Sequence, residues 1–239
     1  MVNLVYWTSI FFLRAFYWDG TFFGKEKLPR DEACIFVGNH LTTNGPIGIC
    51  CSFPIELHAW VIADMVDPEL AEDYLRVDFV EKSLHLRPPA SKRVAHWLVK
   101  LTVPYLKGIN GIPVYQDYEK FHTTVQMTVD RLKAGKHVLI FPEDSTTPED
   151  PIYKMAAFSK SMVRVAEVFH EQTGKRVAFY PVCVHGSGQV RLGDPIRYSG
   201  LSAPSAERLR IKNYLEEAIK QMYRQSAGEV QIEMPLPEG

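Results

Sequence analysis

Residues 137–141 form an apolar run with no polar alternation, and residues 33–37 are a similar short run bounded by polar residues. A strand written this way hides both faces, which constrains the fold strongly. Further strand-like stretches lie at 57–63, 111–115, 176–184 and 189–192. Between them the spacing predicts a helix starting at Pro46 and helices over 68–84, 91–106, 118–133, 154–171 and 206–225. Alternating strands and helices imply an α/β fold with a mainly parallel, or mixed, sheet covered by helices on both faces. Functional groups in such folds gather where strands end at their carboxyl side.

The 239 residues suit one α/β domain, and a net charge of −1 leaves no global basic field for nucleic acid. Cys34, Cys50, Cys51 and Cys183 form no C-x-x-C pair and no zinc-like spacing, so no metal is expected. They read as small buried apolar residues of a reducing cytoplasm. Residues 1–23 stand apart, because aromatic side chains crowd them and only Arg14 and Asp19 carry charge. Thr8, Ser9 and Arg14 break the apolar run, so a spanning helix is disfavoured. The reading is a helix lying in the membrane interface, with Trp7, Phe11, Phe12 and Trp18 at headgroup level and Arg14 snorkelling to lipid phosphates. An aromatic-rich core helix is the alternative. The α/β domain then covers 24–225, and 226–239 is a tail. The expected location is the cytoplasmic face of a membrane, peripheral or monotopic.

Two polar clusters follow strands. Asn39-His40 follows the first, and an imidazole there has the affinity to take a proton from a hydroxyl at neutral pH. Glu143-Asp144-Ser145-Thr146-Thr147 follows the run ending at Phe141. That cluster suits acid/base work or acceptor binding, or equally a helix-capping turn.

Read together, the clusters resemble the 1-acylglycerol-3-phosphate acyltransferase family. Asn39-His40-Leu-Thr-Thr-Asn-Gly45 occupies its N-H-x-x-x-x-D block. Gly111-Ile-Pro-Val-Tyr-Gln116 matches its G-x-P-V-x-R strand, Phe141-Pro-Glu-Asp-Ser-Thr146 its F-P-E-G-T-R block, and Phe179-Tyr-Pro-Val182 its V-P-V strand. The resemblance covers about residues 20–200. It implies fatty acyl transfer from acyl-CoA or acyl carrier protein to a hydroxyl of a lysophospholipid or other glycerolipid. His40 is then the general base, and Asn39, Gln116, Glu143, Ser145 and Thr146 contact the acceptor. The implied partners are membrane lipids and the acyl donor, and no cofactor is needed.

Three positions depart from the pattern. Gly45 replaces the Asp that would hold the imidazole, and Asp144 is the named substitute, with Asn44 a weaker one. Gln116 and Thr146 replace arginines, which removes bidentate phosphate recognition and favours an acceptor with a neutral or cationic headgroup. Lys154, Lys160 and Arg164 are candidates to compensate. A catalytically impaired relative that binds lipid or an acyl carrier is the alternative, and a hydrolase using Ser187 is a third.

Overall fold

A computed structural model describes residues 3–42, 44–82, 84–115 and 117–228. The helices are α1 (Leu4–Phe16), α2 (Asn44–Ser52), α3 (Pro68–Tyr74), α4 (Ala90–Gly108), α5 (Tyr118–Lys133), α6 (Arg164–Thr173) and α7 (Pro204–Ser226). The strands are β1 (Thr21–Phe23), β2 (Ile35–Gly38), β3 (Leu57–Ile62), β4 (Ile112–Val114), β5 (His137–Ile140), β6 (Ala178–Val184), β7 (Gln189–Leu192) and β8 (Ile196–Arg197). They form one mixed sheet in the order β1-β7-β6-β2-β5-β3-β4, with β8 also beside β6. β2 is central and parallel to both β5 and β6, while β7 and β8 run antiparallel to β6.

The unbroken apolar runs are explained by two cores. Ile35, Val37, Val138, Ile140, Phe179 and Cys183 face one core, which α5, α6 and α7 complete. Their neighbours Phe36, Leu139, Tyr180 and Val182 face the other, closed by Ile49 and Phe53. Period-two alternation is present, but both phases are buried. Pro181 sits inside β6, where a missing N–H normally disrupts a ladder. Here it falls between the stretches paired with β8 and β7, and its carbonyl accepts from Gly193 N at 2.9 Å.

Of the helix expected over 154–171, the second part is present as α6, and the first part, 154–163, is not α-helical. Residues 142–159 leave β5 as an excursion, tied back where Ser159 N donates to the Pro142 carbonyl at 2.7 Å. Lys154 has φ +52°, a left-handed conformation incompatible with helix. A 3₁₀ turn, Lys160–Val163, capped by the Ser159 side chain, then leads into α6. The short edge strands β1 and β8 were not expected from sequence.

The thiols sit in apolar surroundings, and burial pushes Cys50 up to about 12 and Cys51 to about 11. His58 on β3 is 1% exposed, and among the described residues neither ring nitrogen has a hydrogen-bond partner. Burial lowers its pKa, against the pull of Glu56, whose carboxylate lies 3.7 Å away. A histidine held neutral in the fold but free to charge when unfolded means the unfolded chain binds more protons. Stability should therefore be fully present above about pH 6.5 and fall as pH drops through the lowered folded value. Urea midpoints measured across that window should slope with pH, and the slope should flatten in His58→Leu.

Candidate active site

β2 ends at Gly38, and its neighbours β5 and β6 end alongside, so three carboxyl ends meet where the strand order reverses. Asn39 is buried, and its amide is spent on the sheet. Its Nδ2 donates to the Val184 carbonyl at 2.9 Å, and its Oδ1 accepts from Val184 N at 2.8 Å. Asn39 thus fastens β2 to β6 and fixes where the next residue stands, rather than presenting its side chain to an acceptor.

That next residue is His40. It is solvent-exposed, with its ring edge-on to Phe141 at 5.3 Å between centroids. Although one side is open, the flanking loops displace enough water that desolvation lowers its pKa below the ordinary imidazole value. The Glu143 carboxylate and the Thr42 backbone pull the other way. The imidazole is therefore held neutral at physiological pH and able to accept a proton.

Glu143 is a clamp. Its Oε1 accepts from His40 N at 2.5 Å, and its Oε2 accepts from Ala156 N at 2.8 Å. One carboxylate thus ties the loop after β2 to the 142–159 excursion. Glu143→Gln leaves one amide oxygen for two backbone N–H donors, so one of them loses its acceptor and faces an NH2 group instead. The expected cost is about 1–3 kcal/mol of stability, read as a shifted urea midpoint.

Asp144 does not take the role expected of it. Its Oδ1 accepts from Thr146 N at 2.9 Å and from Thr146 Oγ1 at 2.6 Å. Those bonds, the side-chain one first, hold its carboxyl below the usual range. Adjacent residues on an extended segment point in opposite directions, so Glu143 faces His40 while Asp144 closes its own turn. Among the described residues no carboxylate is hydrogen-bonded to the His40 ring. Asn44 is also engaged, accepting from Tyr17 OH at 3.0 Å. Ser145 and Thr146 are exposed on the loop, and Gln116 lies outside the described residues.

Gly45 has a structural role in the turn after His40. Its N–H donates to the His40 carbonyl at 3.0 Å, closing a tight turn. A Cβ there would lie 2.1 Å from the His40 carbonyl oxygen and 2.6 Å from that of Asn39. Within the turn, Leu41 and Thr42 have φ of +38° and +56°. A β-branched residue in that region is strained, and such strain gathers at functional sites.

The fold is similar to that of a solved protein, the 1-acyl-sn-glycerophosphate (LPA) acyltransferase PlsC from Thermotoga maritima. The TM-score is 0.58 and the identity 17%, over 96% of this chain and 80% of that one. No family model matches the chain, and no curated protein matches it significantly. The expected glycerolipid acyltransferase-like α/β fold is therefore met in architecture.

Other candidates resolve differently. His185 Nδ1 and Ser187 Oγ are 2.8 Å apart, but the Ser187 backbone N–H also points at that nitrogen, which marks a local turn two residues long. Arg164 is paired with Glu167 at 2.7 Å, so it is not a free cation for an acceptor. Arg14 turns inward: its Nε donates to the Cys51 carbonyl at 2.5 Å and its Nη2 to that of Phe53 at 3.1 Å. It caps the carboxyl end of α2 instead of reaching for phosphates. Trp18 donates to Ser52 Oγ at 3.2 Å and packs into the protein, as Trp7 partly does. Phe11 and Phe12 remain in the open, at 67% and 54% exposure. No described helix is long and apolar enough to cross a membrane.

Proposed function

We propose that this chain is a membrane-surface acyltransferase that moves a fatty acyl group from acyl-CoA or acyl carrier protein to a lysolipid hydroxyl. The observation that carries this reading is His40, held neutral and solvent-facing at the central carboxyl edge of a fold shared with a glycerolipid acyltransferase. The His40 ring takes the proton as the acceptor oxygen attacks the thioester carbonyl, and the thiolate of the donor leaves. Glu143 positions the base through its backbone and supplies nearby negative charge for the imidazolium that forms. With Thr146 where the resembling family has Arg, an acceptor with a neutral or zwitterionic headgroup fits better than lysophosphatidate. The protein rests on the bilayer through the exposed aromatic side of α1.

The test is to incubate the full chain with labelled acyl-CoA or acyl carrier protein and a panel of lysolipids. Labelled diacyl product is expected, formed faster with lysophosphatidylcholine than with lysophosphatidate. One observation favours a second reading, a lipid-binding relative without turnover: the His40 ring has no hydrogen-bonded carboxylate among the described residues. No product with any acceptor, combined with intact vesicle binding, would establish that reading instead.

A further inference from the structure

α4 is 19 residues long and contains no Asp or Glu. Arg93, Lys100 and Lys107 recur every seven residues, two helical turns apart, and so form a row along one flank. Among the described residues none of the three is paired with a carboxylate. Beside that row runs an apolar stripe in which Trp97 is 68% and Leu101 69% exposed, and Tyr105 extends it. Arg93, Trp97 and Leu101 also line a shallow depression on this face.

The carboxyl end of α4 abuts α1, where Asn3 Nδ2 donates to the Gly108 carbonyl at 2.9 Å and Val5 packs on Gly108. Further along α1, Phe12 stacks on Phe16, which is 83% exposed. A chain of net charge −1 that gathers beside Trp97 three cations with no carboxylate partner among the described residues, Lys100 Nζ lying 5.1 Å from the Trp97 ring centroid, has built a local basic edge on a near-neutral molecule. Apolar groups that insert, flanked by cations at headgroup level, complement an anionic bilayer.

We propose that α4 is a second docking element, which seats the protein on anionic lipid bilayers and supplies the charge selection that α1 lacks. This rests on the membrane-surface reading above but not on any chemistry at His40. Trp97 and Leu101 enter the acyl boundary, and the Arg93–Lys100–Lys107 row contacts lipid phosphates.

The test uses the full chain and sedimentation with vesicles of phosphatidylcholine alone or mixed with phosphatidylglycerol. Wild type is expected to bind the mixed vesicles more tightly. Each removed cation should weaken that binding about fivefold, so Arg93→Gln/Lys100→Gln/Lys107→Gln should weaken it about a hundredfold. The same variant should match wild type on phosphatidylcholine alone. Brominated lipids should quench wild-type fluorescence more than that of Trp97→Phe. Equal binding to both vesicles, an unaffected triple variant or unchanged quenching would overturn the proposal. So would a concentration-dependent dimer that buries Trp97, since a second copy would then own this face. Transfer to detergent-dispersed lysolipid separates the two readings: the triple variant should keep it, and its absence from wild type indicts the acyltransfer reading alone.

Discussion

His40→Ala should lower acyl transfer by about 10²–10⁴-fold, the usual worth of a positioned general base. The fold should survive it. The ring is solvent-exposed and edge-on to Phe141, and the clamp from Glu143 is made to the His40 backbone, which the substitution keeps. The urea midpoint should shift by less than about 1 kcal/mol equivalent, within the range of surface substitutions. Loss of transfer without loss of fold separates a catalytic imidazole from a structural one. A variant that still transfers at the wild-type rate would remove His40 from the mechanism.

Gly45→Asp, which places there the residue that the resembling family carries, should damage this protein. The new Cβ would sit 2.1 Å from the His40 carbonyl oxygen. That neighbour is backbone, held by the Gly45 N–H to His40 carbonyl bond and by the Glu143 clamp, so it cannot swing aside as a flexible side chain would. The expected cost is about 3 kcal/mol or more. For a domain of this size that is a fall in Tm of about 6–12 °C, measured by calorimetry. Transfer should fall, because the turn that presents His40 is the part displaced. Gly45→Ala should lose nearly as much stability, which would locate the fault in the Cβ rather than the carboxylate. A Gly45→Asp protein that melts like wild type and transfers faster would show that the turn accepts the family's residue. His40 then would have lacked only its partner.

The sheet was legible because its signal is local. Both phases of β2, β5 and β6 are buried, so apolar runs without polar gaps announce strands covered on both faces. The placement of His40 and of the 143–147 cluster at strand ends followed from the same runs. What stayed hidden depends on contacts between distant residues. Arg14 and Trp18 look like interface anchors in sequence, but their partners lie at 51–53, on a helix that only the fold brings near. Residues 154–163 read as the start of a helix, yet the clamp from Glu143 to Ala156 draws that stretch back across the strand ends. The sequence points to Asp144 as the partner of the imidazole and to Glu143 as an acceptor contact, whereas side-chain direction puts the Glu143 carboxylate on the His40 backbone and turns that of Asp144 onto Thr146. That the turn at position 45 leaves no room for a Cβ is a matter of ångströms between backbone atoms, which no residue pattern encodes.

These features meet in one claim: His40 works as a base whose neutrality comes from desolvation, with Glu143 nearby but no carboxylate bonded to its ring. The pH dependence of kcat/KM for acyl transfer tests it most directly. The account predicts a rate that rises with pH through a single ionisation below about 6.5 and is flat above it, with that limb absent from the residual rate of His40→Ala. A limb at the same pH in both proteins, or no transfer by the wild type at any pH, would contradict it.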